Sequence, residues 1–175
     1  MRHFLGAHLM RELEELLLAD DGVFPNSRLP VLVYRGAVKP EDGAPALERL
    51  FERNGWPPKW RDTVFTFHHY HSNAHECLGV AEGNATLRLG GPSGAEVKVE
   101  AGDVVVIPAG VAHQRMLAST DFMVVGAYPP GEEQWDTLRG RPDDRPKADE
   151  TIAKLPLPES DPVTGKTGAL VDRWR

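Results

Sequence analysis

The spacing of hydrophobic and polar positions divides the chain into stretches of different period. Four leucines near the N-terminus recur at helical spacing (Leu9, Leu13, Leu16 and Leu17), and this predicts a short helix that ends at Asp20 to Gly22. Residues 16–18 could equally begin a strand. The run VLVYRGAV, residues 31–38, is rich in β-forming residues and predicts a strand. A helix with one apolar face is predicted from about Pro45 to Asn54, where Gly55 and Pro57 stop it.

The pattern changes between Asp62 and Tyr128. Short apolar runs follow one another at nearly regular intervals, with Gly, Pro and Asn turns between them. The runs are TVFTF, ECLGV, ATLRL, EVKVE, DVVVI and DFMVVGAY. This arrangement predicts an antiparallel β-sandwich or small barrel, and the fold class is therefore all-β with a few flanking helices.

The stretch after Pro129 is polar and proline-rich. It predicts one helix from about Ala148 to Lys154, followed by an irregular tail. The tail still carries large apolar residues: Leu155, Leu157, Leu170, Val171 and Trp174. Because a disordered tail is usually poor in such residues, we expect it to pack on the domain or on a partner subunit.

Composition narrows the class of protein. The 175 residues, 41% of them hydrophobic, predict a single domain over residues 1–175 with a core barrel at about 30–128. A net charge of −6 without any basic block argues against nucleic acid and anionic membranes as partners. Cys77 is the only cysteine, so no intrachain disulfide can form. With no cleavable leader and no apolar run of about 20 residues, we expect a cytoplasmic protein.

Three histidines and a glutamate form the candidate site: His69, His71, Glu76 and His113. Side chains alternate along a strand, so His69 and His71 point the same way and can both reach one ion. After a turn at residues 72–74, Glu76 can return from the neighbouring strand as a carboxylate ligand. This mixed nitrogen and oxygen set suits a borderline divalent cation.

His75 is the alternative to Glu76 as the ligand that follows the turn. Strand parity favours Glu76, because Glu76, Leu78 and Val80 share a face that must be the apolar interior. His75, Cys77 and Gly79 then look outward, although His75 could still join the site or support a ligand. Cys77 is interpreted as an outward-facing or packed thiol rather than a redox group.

Other residues near the site have two interpretations each. His68 is out of phase with the ligand pair and is predicted at the surface or an interface. Several large apolar residues are predicted in the core (Phe65, Phe67, Met116, Phe122 and Met123), although Phe67, Met116 and Met123 could line a pocket wall. Another group could bind a substrate carboxylate or a sugar, or form surface salt bridges: Trp135, Asp136, Arg115, Arg139 and Arg141.

The spacing of the site residues resembles a known family. His69-x-His71, four residues, Glu76, six residues and Gly83 are followed by Gly102, five residues, Pro108-x-Gly110, two residues and His113. These stretches resemble the two sequence motifs of the cupin superfamily, whose fold is a double-stranded β-helix similar to a jelly roll. The resemblance implies one divalent metal at the open end of the barrel, held by His69, His71, Glu76 and His113.

One position departs from the motif, since Leu117 stands where the second motif usually ends in Asn. That Asn is a turn or packing element, so its absence affects local geometry more than metal binding. Longer segments narrow the resemblance to the YjlB-like group of bacterial single-domain cupins. They are DDGVFPNSRLPVLVYRG, HHYHSNAHECLGVAEGNATLRLGG, GAYPPG with the following Trp135-Asp136, and LPLPESDPVTGKTGAL. The group supplies a fold and a metal site but no substrate.

The ligand set leads to the functional hypothesis. Three histidines and a glutamate leave two positions free if the ion is octahedral, as Mn, Fe or Ni prefer. The ligand types allow Mn, Fe, Ni, Co or Zn without choosing among them. We expect a metal-dependent enzyme that acts on a small oxygen-rich molecule by dioxygenase-like or isomerase-like chemistry, with Glu76 as the catalytic base. The alternative is a non-catalytic module that binds a small ligand or sugar. A structural oligomer with a vestigial metal is a weaker third interpretation, and because open sheet edges need covering, a homodimer is expected.

Overall fold

The computed structural model describes residues 12–175, and these fold mainly into two antiparallel sheets. The larger sheet has the strand order β1-β2-β7-β4-β9-β3, and the smaller has the order β6-β5-β8. The strands are β1 (Glu12–Leu16), β2 (Val31–Arg35), β3 (Pro58–Asp62), β4 (Glu76–Glu82), β5 (Asn84–Leu89), β6 (Ala95–Glu100), β7 (Val104–Ile107), β8 (His113–Ala118) and β9 (Met123–Ala127). The helices are α1 (Gly43–Arg53), α2 (Lys147–Lys154) and α3 (Ala169–Arg173).

The central strands of the larger sheet are apolar on both faces. Alternate residues of β7 show this, because Val105 and Ile107 pack in the core between the sheets while Val104 and Val106 pack on the opposite face. A strand covered on both sides needs apolar residues at every position. The continuous run VVVI therefore forms a buried strand rather than a half-exposed one.

Helix α1 covers the outer face of the larger sheet. Its apolar side, with Leu47, Leu50 and Phe51, packs against that face. The approach is close at Gly79 of β4, where an added Cβ would lie 2.7 Å from the Phe51 ring. Glycine at this position lets the helix rest directly on the backbone of the strand that carries Glu76.

The C-terminal tail packs on the same outer face. Leu170 of α3 and the following Trp174 are buried in the cluster that contains α1 and β7 side chains. Asp161, which is fully buried, accepts hydrogen bonds from the Tyr34 hydroxyl and from the backbone N–H of Leu170. The tail is thus fastened to β2 by a polar contact as well as by apolar packing.

Most of the predicted elements are confirmed. The all-β class, the helices near 45–54 and 148–154, and five of the six apolar runs in the centre appear as expected. Two predictions are wrong. Residues 12–16 form a strand paired with β2 rather than the end of a helix, and Leu9 lies outside the described residues.

The run TVFTF is the second error, because residues 63–67 form no strand and run as a loop between β3 and β4. The sequence patterns also missed β3, β8 and α3, the last of which lies in the tail that was predicted to be irregular. Within residues 12–175, no helix combines the length and apolar character that crossing a membrane requires.

Candidate functional site

The loop before β4 carries the first two histidines. His69 pairs through its backbone with His113 at the start of β8, with N–O distances of 3.2 and 2.9 Å. The next residue, Tyr70, pairs in the same way with Leu138. The chain is extended here without being part of a regular strand, so the predicted alternation holds: Tyr70 packs away from the site, in a cluster with Phe24.

Three imidazoles meet at the mouth of the barrel. One ring nitrogen from each of His69, His71 and His113 lies within 4.8 Å of the other two. The ring centroids of His69 and His113 are 4.1 Å apart, and His71 lies 5.5 and 5.4 Å from them. All three side chains are buried. The structure thus brings together the three histidines that the sequence pattern had grouped.

Backbone carbonyls hold each of these rings in one orientation. Nδ1 of His69 lies 3.1 Å from the Phe67 carbonyl oxygen, and Nδ1 of His113 lies 3.0 Å from that of Val111. Nδ1 of His71 is 2.5 Å from the Asp136 carbonyl oxygen. A carbonyl can only accept, so Nδ1 carries a proton in each ring and Nε2 is the nitrogen left for a metal. This is the tautomer that a metal-binding histidine needs.

Glu76 completes the group from the first position of β4. Its Oε2 lies 3.0 Å from Nε2 of His71 and 3.0 Å from Nε2 of His113. The other oxygen, Oε1, accepts a hydrogen bond of 3.0 Å from the Tyr128 hydroxyl. The Tyr128 oxygen in turn accepts one of 2.9 Å from the indole N–H of Trp60. The carboxylate is therefore held with Oε2 facing the imidazoles.

The protonation states follow from burial and neighbouring charge. Burial, followed by the proximity of His113, lowers the pKa of His69 to about 3, so this ring is neutral at physiological pH. Burial opposes ionisation of Glu76, but His71 and His113 outweigh it and hold the carboxyl pKa well below its usual range. Burial also lowers the pKa of His71, yet Glu76 reverses this and the net direction is upward.

A divalent metal fits this group of residues. The Nε2 atom of His113 is buried and has no assigned hydrogen-bond partner among residues 12–175, although it lies 3.0 Å from Glu76 Oε2. A buried nitrogen lone pair without a partner costs free energy, and a cation satisfies it. Imidazole nitrogens are ligands for Zn, Cu, Fe and Ni, so the histidine triad could hold a transition metal.

A cavity of about 240 Å³ opens onto these groups. It is bounded on one side by the histidines and Glu76. The remaining wall consists of Trp60, Asp62, Thr63, Val64, Phe65, Leu78, Tyr128 and Trp135. The Trp135 ring stacks on the Tyr128 ring, with centroids 4.2 Å apart and planes 9° apart. A small molecule can thus reach the point at which the imidazoles converge.

His75 lies away from this cluster. Its Nδ1 accepts a hydrogen bond of 2.9 Å from the Ala109 N–H, and its ring packs on Trp174. It faces the outer side of β4, as parity predicted, but the expectation that His75 and Gly79 look outward is wrong, and for Cys77 the packed alternative is confirmed. The tail and α1 cover that side, so His75, Cys77 and Gly79 pack in the interior of the protein.

Two predicted core residues are exposed. Phe65 has 52% of its surface exposed and lines the cavity, while Met116 points outward from β8 with 39% exposed. Phe122 is buried as expected. His68 is half-buried and packs its ring 5.7 Å from that of Phe24 instead of lying free at the surface.

The remaining candidates have separate roles. Asp136 accepts hydrogen bonds from the backbone N–H and the hydroxyl of Ser72, next to His71. Arg115 donates to the Val64 carbonyl, and Arg139 lies 3.7 Å above the centre of the Phe67 ring. Arg141 closes a short turn through its backbone N–H to Asp144. Of this group, Trp135 lines the cavity.

Sequence patterns missed the partners of Glu76. Tyr128 follows β9 and Trp60 lies in β3, and neither position carries a local signal of contact with β4. The supporting role of the Asp136 carbonyl was also invisible, because any residue type offers that oxygen. A backbone partner cannot be identified from side-chain identity.

Similarity to known proteins agrees with this architecture. Residues 60–124 match the cupin domain. The uncharacterized protein YjlB of Bacillus subtilis (strain 168) is 42% identical over 165 residues, which cover 94% of this chain and 98% of that protein.

Among solved structures, a DUF861 family protein from Thermotoga maritima is 21% identical. That alignment covers 55% of this chain and 96% of that one, with a TM-score of 0.35. Acireductone dioxygenase from Bacillus anthracis, with a cadmium ion in its active centre, is 16% identical. It covers 69% of this chain and 78% of that one, with a TM-score of 0.36. The match to the cupin domain and the 42% identity to YjlB over nearly the full length of both chains together show that the chain belongs to the YjlB-like cupins.

Proposed function

We propose that this protein is a metal-dependent enzyme that acts on a small oxygen-rich molecule, with His69, His71, Glu76 and His113 as the metal ligands. One observation carries the proposal. Three imidazoles, each with Nδ1 held by a carbonyl, turn their Nε2 atoms toward one point beside Glu76 Oε2. The ion is a single divalent cation of the Mn, Fe, Ni, Co or Zn group.

The protein groups have distinct roles in this proposal. When bound, a divalent ion supplies Lewis-acid polarisation of substrate oxygens or, if it is redox-active, access to dioxygen chemistry. The carbonyl partners hold the three rings with Nε2 turned toward the site. Glu76 is the proposed catalytic base: it is a carboxylate that lines the cavity, and on leaving the ion it can accept a proton from a bound molecule. Tyr128 keeps Oε1 occupied, and burial raises its pKa so that it stays protonated.

A second function has one observation in its favour. Glu76 is 4% exposed and engaged at both oxygens, which restricts the movement that a base needs to reach a substrate proton. A module that binds a small ligand or sugar without altering it needs no such movement. The two functions differ in whether a bound molecule is converted over time. In an enzyme His113→Ala abolishes conversion, whereas in a binding module it only weakens affinity.

Metal content tests the site itself. Protein purified without a polyhistidine tag is expected to contain one divalent ion per chain by elemental analysis. The His69→Ala, His71→Ala variant is expected to contain almost none, while His68→Ala, a control in the same loop, keeps its metal. Circular dichroism checks that all three proteins are folded. Equal metal content in the double variant and the wild type contradicts the ligand assignment.

Turnover tests the enzymatic part. The metal-loaded protein is incubated with diketones, keto acids and phenolic diols, and products are followed by mass spectrometry. Conversion that disappears in Glu76→Gln supports the role of the base. Retention of metal with no conversion across the panel favours the binding module.

Three predictions from the sequence accompany this proposal and stay predictions. They are a single domain spanning residues 1–175, a homodimer and a cytoplasmic location. The edge strands β1, β3, β6 and β8 are where a second copy could pair.

A further inference from the structure

The wall of the cavity is aromatic on two sides. Trp135 lies flat on Tyr128, and Trp60 stands beside them, hydrogen-bonded to the Tyr128 hydroxyl. Across the cavity, Phe65 stacks on Phe67 with centroids 4.8 Å apart. The exposed Phe65 ring also contacts His69 edge to face, at 5.1 Å. Flat aromatic surfaces thus flank the approach to the imidazoles.

Acidic side chains line the cavity, and the long basic ones do not. Among residues 12–175, the charged residues that line it are the carboxylates Asp62 and Glu76, and neither lysine nor arginine lines it. Two arginines contact this part of the chain without lining the cavity: Arg115 donates to the Val64 carbonyl, and Arg139 lies over the Phe67 ring. A carboxylate or phosphate on the body of a ligand would therefore meet Asp62 or an aromatic ring and find no lysine or arginine among the lining residues.

From this wall we propose the substrate class: a flat molecule of about one ring that presents two adjacent oxygens to the metal and carries no charge on the rest of its body. The inference rests on the proposed function and deepens it. The volume of about 240 Å³ lies below the range of pockets that hold drug-sized ligands, which favours a single ring. The aromatic sides suit a planar body. Molecules with a second anionic group, such as dicarboxylates and sugar phosphates, are selected against.

Binding of matched catechols tests this class without any turnover. The protein is loaded with Co²⁺ and kept anaerobic, and the d–d absorption of the ion is followed during titration. 4-Methylcatechol and 3,4-dihydroxybenzoate share the chelating diol and differ in the distal group. Each affinity is normalised to the affinity of the same compound for Co²⁺ in free solution. We expect 4-methylcatechol to bind at least about 10-fold more tightly.

Substitutions of cavity-lining residues show which side chains produce the preference for 4-methylcatechol. Asp62→Lys is expected to make 3,4-dihydroxybenzoate the tighter of the two ligands. Asp62→Asn is expected to reduce the difference between the two affinities. Trp135→Ala and Phe65→Ala are expected to weaken 4-methylcatechol about 3- to 10-fold with unchanged Co²⁺ content. Leu117→Ala, an exposed position of β8 that does not line the cavity, is the matched control and leaves affinity unchanged.

The outcomes separate this inference from the metal proposal. Equal or tighter binding of 3,4-dihydroxybenzoate, or no catechol binding to a fully loaded protein, overturns the substrate class and leaves the metal site intact. Failure to take up Co²⁺, or uptake unaffected by His69→Ala, His71→Ala, overturns both.

Discussion

Two clusters of buried polar side chains lie on opposite faces of the larger sheet, and they differ in how their hydrogen bonds are completed. On the outer face, the carboxylate of Asp161 accepts from the Tyr34 hydroxyl and from the backbone N–H groups of Val163, Thr164 and Leu170. On the inner face, Nε2 of His113 has no hydrogen-bond partner within the described part of the chain.

The difference separates a structural cluster from a candidate site. A buried polar group stabilises a fold only when its hydrogen bonds are made, and the Asp161 cluster meets that condition with protein groups alone. The histidine cluster leaves a lone pair directed at its neighbours, an arrangement that is costly in the absence of a ligand. Burial of polar groups is common to both, and only the state of their hydrogen bonds distinguishes them.

The largest expected effect is on the structural side of this comparison. Asp161→Ala removes the acceptor of four hydrogen bonds and is expected to lower the free energy of unfolding by about 3–5 kcal/mol. Chemical denaturation measures this loss. Asp172→Ala, at an exposed position in the same tail, serves as the control and should change stability by less than about 0.5 kcal/mol. If both variants lose equally little, the Asp161 cluster does not fasten the tail.

The second prediction concerns the histidine cluster, where a substitution should affect metal binding more than stability. His113→Ala is expected to lower metal affinity by more than about 100-fold, since a ligand contributes more than its supporting partner. In the metal-free protein the same change should cost no more than about 1.5 kcal/mol, because it breaks no satisfied side-chain bond at Nε2. Competition with a chromophoric chelator and denaturation measure the two quantities. A large stability loss without loss of metal would make this histidine structural.

A smaller effect is expected one contact further from the imidazoles. Tyr128→Phe keeps the ring that stacks on Trp135 but removes the donor to Glu76 Oε1. Partners of metal ligands typically contribute 10- to 100-fold in affinity, so a loss of about 10-fold is expected. Tyr70→Phe is the matched control, because the buried Tyr70 hydroxyl has no hydrogen-bond partner among residues 12–175. Equal affinities in the two variants would mean that Tyr128 does not orient the carboxylate.

The smallest effect concerns Glu132, which contacts the backbone next to Glu76. Its carboxylate accepts from the His75 N–H, and burial raises its pKa to about 7. A raised carboxyl pKa means that the folded state binds the proton more tightly, so this group's contribution to stability falls as pH rises from about 4.5 to 7.

Replacing this carboxyl with an amide should remove that dependence. After discounting for its partial exposure, Glu132→Gln is expected to gain about 1 kcal/mol over the wild type at pH 8 and nothing at pH 4. Denaturation at several pH values measures the difference. Glu133→Gln, the exposed neighbour, should show no such trend. A gain for Glu132→Gln that does not vary with pH would rule out titration as the cause.

Local patterns accounted for much of the fold. Strands such as β5 and β7 and the helix α1 are set by periodicity and by turn residues that act within a few positions, so they could be predicted. β3 could not, because PKWRD carries no apolar alternation. Its pairing comes from contact with β9, where a Cβ added at Gly126 would lie 2.1 Å from the Trp60 ring. The same long-range dependence explains why residues 12–16 form a strand, since β2 provides the partner.

The candidate site was predictable to a similar degree. His69, His71 and Glu76 could be grouped by spacing, since alternation and the return from a turn are local properties of the chain. His113 was added through the resemblance to the second cupin motif. Their support could not be predicted, because Tyr128 is 52 positions away from Glu76 and the carbonyl that holds His71 belongs to Asp136. The exposure of Phe65 could not be predicted either, since an aromatic residue at a cavity mouth has the same local sequence pattern as one in a core.

The sequence by itself determined the β-rich class, the helices on either side of it and the identity of the histidines and glutamate that meet. Most of these features depend on alternation, turn chemistry and spacing, which act over a few residues, and His113 was identified by the resemblance to the second cupin motif. Tertiary structure alone decided which nitrogen of each ring is left free, what holds Glu76, and how apolar and how charged the wall of the cavity is. Those properties arise from hydrogen bonds and packing between segments far apart in the chain, and no short stretch of residues specifies them.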